Sequence, residues 1–209
     1  MIDLYTFGTP NGRKISIALE EMDMAYQVHT IDITKNEQFA ADFLKISPNN
    51  KIPAIVDRAT GLSLFESGTI LTYLAEKSGQ FLPRDGEARW RVNEWLMWQM
   101  AGFGPMLGRA HYFLHYNKGK SEFAEAWFRA EVPRLYGVLD KQLSHTGHVA
   151  GDYSIADMAI FPWVTSFEAH EADLKMFPHV LDWYQRLSAR PAIVKGFSVP
   201  DGRVIPPAP

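Results

Sequence analysis

The sequence predicts two structural units, an α/β unit followed by an all-helical unit. Short strand-like runs alternate with helical runs as far as Gly79, and this alternation is typical of an α/β unit. Pro83 and Gly86 then interrupt the chain, and no convincing strand follows them. We therefore predict domains at residues 1–80 and 87–199, with an irregular proline-rich tail at 200–209.

The α/β unit begins with a predicted strand at Ile2–Phe7, which ends at the breaker cluster Gly-Thr-Pro-Asn-Gly. Apolar residues at helical spacing then predict a helix from about Gly12 to Met22. The next stretch contains three further strand patterns and a weaker helical one: strands at Ala25–Ile31, Ile52–Val56 and Ser63–Phe65, and the helix at Phe39–Ile46. Another helix is predicted to start at Ser67.

Several helix signals mark the second unit. An apolar face at Val92–Phe103 predicts its first helix. A later helix contains Pro133, where the missing N–H predicts a bend. Ser154 and Asp157 have the spacing of a capping box, in which each side chain satisfies a backbone N–H at the helix start. Pro178 fits the first turn of another helix.

Charge and hydropathy exclude several kinds of partner. The 209 residues include 21 basic and 24 acidic side chains, a formal charge of −3, and no Lys/Arg run that would follow a phosphate backbone. We therefore expect no nucleic-acid partner. No window approaches the roughly 20 apolar residues of a membrane span, and the N-terminus has no secretory pattern. We expect a cytoplasmic protein without a membrane partner.

The chain contains no cysteine. Disulfides, cysteine-containing metal sites and catalysis by a protein thiolate are therefore excluded. The His, Asp and Glu residues show no convincing metal-ligand spacing, so we expect no metal. Any sulfur chemistry must come from a ligand.

Three stretches in a fixed order resemble those of a glutathione transferase. They are Thr9-Pro10-Asn11-Gly12-Arg13-Lys14, Ser47–Ala54 and Phe65–Ile70. The first two, with the absence of cysteine, are most similar to the bacterial nu-class branch, whose members act as disulfide-bond reductases and are related to the yeast Ure2 type. The resemblance implies a thioredoxin-like N-terminal domain, an all-helical C-terminal domain and a two-fold homodimer with active sites near its interface.

The resemblance also assigns residues to glutathione, a tripeptide with a carboxylate at each end. Ile52 and Pro53 match a cis-proline turn that presents the Ile52 backbone to the cysteinyl part of the ligand, as in β-augmentation. An ordinary proline at the start of a strand is the alternative. Ser67 matches the donor to the γ-glutamyl carboxylate, although it also fits a helix cap. Glu66 would accept from the ligand's ammonium group, or lie in solvent.

Two more residues match the glycyl end of glutathione. Lys51 would pair with the glycyl carboxylate, and Gln38 corresponds to the same end, with an ordinary surface position as its alternative. This sequence departs from the pattern of the branch at one position, where relatives can carry an arginine that reaches the ligand across the dimer. That position aligns with Trp127, and Arg129 lies two residues away. The contact across the dimer and the substrate preference are therefore left open.

The reactive centre requires a thiol of pKa ~8.5 to be stabilised as a thiolate. Asn11 and Thr9 lie at the start of the first helix, where a side-chain donor and the helix dipole lower such a pKa. Both match the nu-class motif, while Thr-Pro-Asn-Gly is also an ordinary turn sequence. Tyr5 is the rival donor, since other classes of the family use a tyrosine near the end of this strand.

These assignments lead to one preferred function and two alternatives. We expect a glutathione-dependent disulfide-bond reductase or thiol transferase, in which bound glutathione attacks a disulfide and a second glutathione resolves the mixed product. Conjugation of glutathione to an apolar electrophile, or reduction of a hydroperoxide, is the alternative among enzymes. A non-catalytic glutathione-binding regulatory module is the alternative outside them.

Overall fold

The computed structural model describes residues 1–209, which form two compact units. The first consists of Met1–Arg84 and Ala189–Ile205, and the second of Asp85–Ser188 and Pro206–Pro209. The first unit mixes strands and helices, whereas the second contains helices only, which confirms the predicted fold class. None of the helices combines the length and the apolar character that crossing a membrane requires.

Four strands form the sheet of the first unit: β1 (Ile2–Thr6), β2 (Tyr26–Thr30), β3 (Ala54–Asp57) and β4 (Leu62–Phe65). They lie in the order β2-β1-β3-β4. β1 and β2 are parallel, whereas β3 runs antiparallel to both β1 and β4. This topology is the thioredoxin-like arrangement that the resemblance implies, and every strand is close to its predicted position.

The same unit contains α1 (Pro10–Glu21), α2 (Ala41–Ile46) and α3 (Ser67–Ser78). Thr9 caps α1, because its side-chain oxygen accepts from the Gly12 N–H at 3.3 Å, and Pro10 occupies the first turn. The residues of α1 from 12 to 19 are all buried. A helix without an exposed face must be enclosed by neighbouring elements on every side.

The second unit contains α4 (Gly86–Trp98), α5 (Gly104–His111), α6 (Glu122–Thr146), α7 (Ile155–Val164) and α8 (Pro178–Ser188). Two π-helical segments, Gln99–Phe103 and Tyr112–Tyr116, follow α4 and α5. The predicted capping box of Ser154 and Asp157 is confirmed at the start of α7. Asp157 also accepts from the Trp183 indole at 2.9 Å, which joins α7 to α8.

Helix α6 continues as one α-helix through Pro133, and the bend there stays a prediction. One turn earlier, Arg129 forms ion pairs with Glu125 at 3.1 Å and with Glu171 at 2.8 Å. The Trp127 side chain is 47% exposed. Because the Arg129 guanidinium is already engaged within its own unit, a contact across a dimer would require these ion pairs to rearrange.

The C-terminal helix α9 (Pro191–Phe197) lies within residues 87–199, the stretch that the sequence predicts as the helical domain, and that boundary stays a prediction. This helix belongs to the first unit, where it packs against α1. The physical reason is a close backbone approach at Gly196, where a Cβ would lie 2.5 Å from the Cα of Ile17. The Ser16 hydroxyl also donates to the Gly196 carbonyl at 2.7 Å.

Arg13 joins the loop before α1 to the C-terminal segment. Its guanidinium donates to the Gly8 carbonyl at 2.8 Å and to the Phe197 carbonyl at 2.9 Å. It also donates to both carboxylate oxygens of Asp201, at 3.0 and 3.1 Å. Although residues 202–209 form no helix or strand, the start of the predicted irregular tail is therefore held on the first unit.

The carboxylate of Asp57 joins β3 to α3. It is fully buried, pairs with the Lys77 ammonium at 2.7 Å and accepts from the Tyr73 hydroxyl. The Ala59 N–H donates to it at 2.9 Å. Lys77 and Tyr73 hold the pKa of Asp57 at about 2, below its usual 3.8.

We predict that Asp57→Asn lowers the free energy of unfolding at neutral pH by about 1–3 kcal/mol, because a charged acceptor of three donors is lost. Since the pKa is depressed in the folded state, this stabilisation is present above about pH 4 and is lost as the pH falls towards about 2. Urea unfolding of both proteins at about pH 7 and about pH 3 measures the difference. A difference that does not narrow at the lower pH would contradict the prediction.

Candidate active site

A cavity of about 210 Å³ lies in the first unit where the beginnings of α1, β3 and α3 meet. Its walls are formed by Asn11, Ser47, Asn49, Lys51, Ile52, Pro53, Phe65, Glu66 and Ser67. Six of these are residues that the sequence assigns to glutathione: Asn11, Lys51, Ile52, Pro53, Glu66 and Ser67. The fold therefore brings the three motifs, which are separated along the chain, to one place.

The peptide bond between Ile52 and Pro53 is cis, which confirms the predicted geometry. It lies immediately before β3, whose first residue is Ala54. The Ile52 N–H makes no hydrogen bond within the protein, and Ile52 lines the cavity. An extended ligand can therefore pair with this backbone as an additional strand would.

A tight turn at Ser47–Asn50 presents Lys51 to the cavity. Ser47 is buried, and its hydroxyl donates to the Lys51 carbonyl at 2.7 Å. The Asn50 N–H closes the turn on the Ser47 carbonyl at 2.9 Å, and Asn50 has a φ of +48°, a conformation that asparagine tolerates. The turn leaves the Lys51 side chain exposed, so that its ammonium is accessible to an anion in the cavity.

Glu66 and Ser67 form another wall of the cavity. Glu66 has a φ of +69°, and its side chain does not cap α3. Such strain in a residue other than glycine persists mainly at functional sites. Ser67 begins α3, where backbone N–H groups and the helix dipole favour an anion. An acceptor beside a donor suits the ammonium and the carboxylate of one amino-acid head.

Lys14, to which neither the sequence pattern nor the resemblance assigns a role, lies next to Ser67. Its side chain is 1% exposed, and its Nζ donates to the Ser67 Oγ at 3.3 Å. Burial holds the pKa of Lys14 well below its usual value, while the charge of Glu66 acts in the opposite direction. A signal was present in the sequence, because Lys14 lies four residues before Ala18 on the apolar face of α1.

Of the three candidates for the reactive centre, Asn11 alone lines the cavity. The Thr9 side chain accepts from the backbone of α1 as its cap. Tyr5 stacks on His29 with their ring centroids 4.6 Å apart, and burial raises the pKa of its hydroxyl. Asn11 is therefore the donor that shares the cavity with the binding residues.

Gln38 does not line the cavity. It lies in the short 3₁₀ turn Glu37–Phe39, where its Oε1 is buried without a hydrogen-bond partner. Its assignment to the glycyl end therefore rests on the resemblance alone. No group of three or more His, Asp or Glu side chains is arranged to hold a metal ion.

Two family models match the chain. The model described as "Glutathione S-transferase, N-terminal domain" matches residues 2–76, and that described as "Glutathione S-transferase, C-terminal domain" matches residues 107–195. Among curated proteins, the chain is 47% identical over 198 residues to the disulfide-bond oxidoreductase YfcG of Escherichia coli K12. That match covers 92% of each protein.

Solved structures have the same fold. A glutathione transferase from Pseudomonas putida, with one glutathione disulfide bound per subunit, superposes with a TM-score of 0.91 at 41% identity. The match covers 95% of this chain and 91% of that one. A family member from Pseudomonas fluorescens, with two glutathione bound, has a TM-score of 0.90 at 41% identity, covering 95% and 93% of the two chains. With matches in both units, the chain belongs to the glutathione S-transferase family.

Proposed function

We propose that this protein is a glutathione-dependent disulfide-bond reductase in which bound glutathione is the sulfur nucleophile. The cavity carries the proposal, because it combines a side-chain donor, a free backbone N–H and an acceptor–donor pair in a chain without cysteine. Two relatives support the reaction class: YfcG is named a disulfide-bond oxidoreductase, and the Pseudomonas putida structure holds glutathione disulfide.

In the proposed complex, the γ-glutamyl head of glutathione lies at the start of α3. Ser67 donates to its carboxylate, and Glu66 accepts from its ammonium group. The cysteinyl part pairs with the Ile52 backbone beside Pro53, and Lys51 meets the glycyl carboxylate. We retain Gln38 as a candidate for this same end on the basis of the resemblance.

This orientation directs the cysteinyl thiol towards Asn11 at the start of α1. An amide N–H donor and the positive end of the helix dipole both stabilise a thiolate more than a thiol. Together they lower the thiol pKa from ~8.5, so that more of the bound glutathione is reactive at neutral pH. Thr9 has a positioning role, because it caps the helix that carries Asn11.

The proposed reaction needs sulfur only from its substrates. The bound thiolate attacks one sulfur of the disulfide, the S–S bond breaks, and the departing thiolate takes up a proton. A second glutathione thiolate then attacks the glutathionyl sulfur of the mixed disulfide and releases the second thiol. Two glutathione molecules are thereby oxidised to glutathione disulfide, and one substrate disulfide is reduced to two thiols.

We also propose that the protein is a cytoplasmic homodimer. The reaction consumes reduced glutathione, which the cytoplasm maintains. The resemblance implies the dimer, and large exposed apolar side chains of the helical unit support it, since such surfaces often mark interfaces. They include Trp90, Phe123 and Trp127, which are 66%, 84% and 47% exposed.

We expect Ser67→Ala and Glu66→Gln each to weaken glutathione binding roughly 10- to 100-fold, because each removes a hydrogen bond to a charged group. Isothermal titration calorimetry measures the affinities. Ser78→Ala, at the other end of α3, is the matched control and should bind like the wild type. Wild-type affinity in both cavity variants would refute the γ-glutamyl assignment.

Asn11→Ala should lower turnover more than glutathione affinity, because its donor matters most when the sulfur is charged. It should also raise the thiol pKa of bound glutathione, which the ultraviolet absorbance of the thiolate reports across a pH titration. Thr9→Ala should have the smaller effect on turnover, and Tyr5→Phe should resemble the wild type. A loss of activity in Tyr5→Phe with an active Asn11→Ala would indicate a tyrosine-type site.

The reaction class can be tested with two substrates. Specific activity with hydroxyethyl disulfide, with glutathione reductase to regenerate glutathione, should exceed the activity with chlorodinitrobenzene at the same pH. Treating the protein with a thiol-alkylating reagent, and removing the reagent, should leave the disulfide activity intact, because the chain has no cysteine. The reverse ranking would favour a conjugating transferase. Tight glutathione binding without either activity would favour a regulatory module.

A further inference from the structure

We propose that Lys14 is a positioning residue of the γ-glutamyl subsite. Its buried ammonium group fixes the direction of the Ser67 hydroxyl and places a positive charge behind the carboxylate that this hydroxyl binds. The proposal rests on the proposed glutathione site. It adds a residue that does not line the cavity and that acts on the ligand through Ser67.

Lys14 is a buried cation. Its side chain is 1% exposed and is among the largest fully buried side chains of the protein. Lysine is almost never fully buried in proteins, because removing an ammonium group from water is costly. A carboxylate bound on Ser67 would compensate this charge further. Binding of an anionic ligand would thus offset part of the unfavourable free energy of burying Lys14, and this would increase the affinity for that ligand.

The hydrogen bond between Lys14 and Ser67 has a defined direction. A lysine ammonium is only a donor, so the Ser67 Oγ must be the acceptor in the 3.3 Å contact. The hydroxyl proton of Ser67 therefore points away from Lys14. Because a hydroxyl that accepts from a cation is also a stronger donor, Lys14 prepares Ser67 to donate to an anion in the cavity.

The charged side chains around Ser67 are of both signs. The Glu66 carboxylate is exposed at the cavity, next to Ser67. Arg13, the cation that precedes Lys14 in the chain, is engaged by Asp201 and by the Phe197 carbonyl. Of these two cations, Lys14 is the one that donates a hydrogen bond to Ser67. Negative Glu66 and positive Lys14 together favour an amino-acid head that carries both an ammonium group and a carboxylate.

The test is a thermodynamic cycle of protein variants and ligands. One ligand is glutathione, and the other is 4-aminobutyryl-cysteinyl-glycine, which keeps the ammonium group and lacks the γ-glutamyl carboxylate. Lys14→Met keeps a side chain of similar length without the charge, and Lys14→Gln keeps a donor without the charge. Isothermal titration calorimetry gives the four variant affinities and those of the wild type.

We expect Lys14→Met to bind glutathione roughly 10- to 100-fold more weakly than the wild type. Both proteins should bind the analogue equally, because it has no carboxylate for Lys14 to act on. Lys14→Gln should lose less affinity for glutathione. The Tm of unliganded Lys14→Met should equal or exceed that of the wild type, because an apolar side chain often replaces a buried charge without loss of stability.

Two results would overturn the assignment. Equal losses for glutathione and the analogue would show that Lys14 only supports the structure, and unchanged glutathione affinity would show that it does not act on the ligand. If Lys14→Met does not fold, Lys14→Gln provides the same comparison. A wild-type protein that does not bind glutathione would instead refute the proposed function, and Lys14 with it.

Discussion

The site depends on the burial of the central residues of α1. Residues 12–19 of this helix are buried, and its first turn carries Asn11, while its buried face carries Lys14. The sheet and α3 provide part of the enclosure, and α9 completes it through the contact between Gly196 and Ile17. A side chain larger than hydrogen at this glycine would push the two backbones apart. The position of the cavity donor therefore depends on packing far from the cavity.

The sequence predicts most features whose causes are local. Strand positions follow from apolar runs and breakers, and the capping box at Ser154 follows from two residues three positions apart. The cis bond before Pro53 and six cavity residues came from the resemblance, which depends on short motifs in order. These features can be predicted because the residues that determine them are close together in the chain.

Features that depend on distant contacts were not predictable in the same way. The helix Pro191–Phe197 looks like a continuation of the helical domain until the backbone contact at Gly196 assigns it to the first unit. Composition alone could not separate Asn11 from Thr9, because both suit a turn. Their different surroundings distinguish them, since one side chain lines a cavity and the other caps a helix. The place of Lys14 on the apolar face of α1 indicates burial, but its contact with Ser67, which is distant in the chain, is visible only in three dimensions.

The position of α9 also has a consequence for how the chain folds during synthesis. Ala189–Ile205 leaves the ribosome after Asp85–Ser188, which contains all the helices of the second unit, yet it completes the first unit. The N-terminal segment therefore emerges with the surface of α1 that receives α9 still uncovered. Partly folded chains with exposed apolar surface are prone to aggregate and to bind chaperones. Translation of the first unit therefore starts before that of the helices of the second unit, but α9 can pack against α1 only after those helices have been translated.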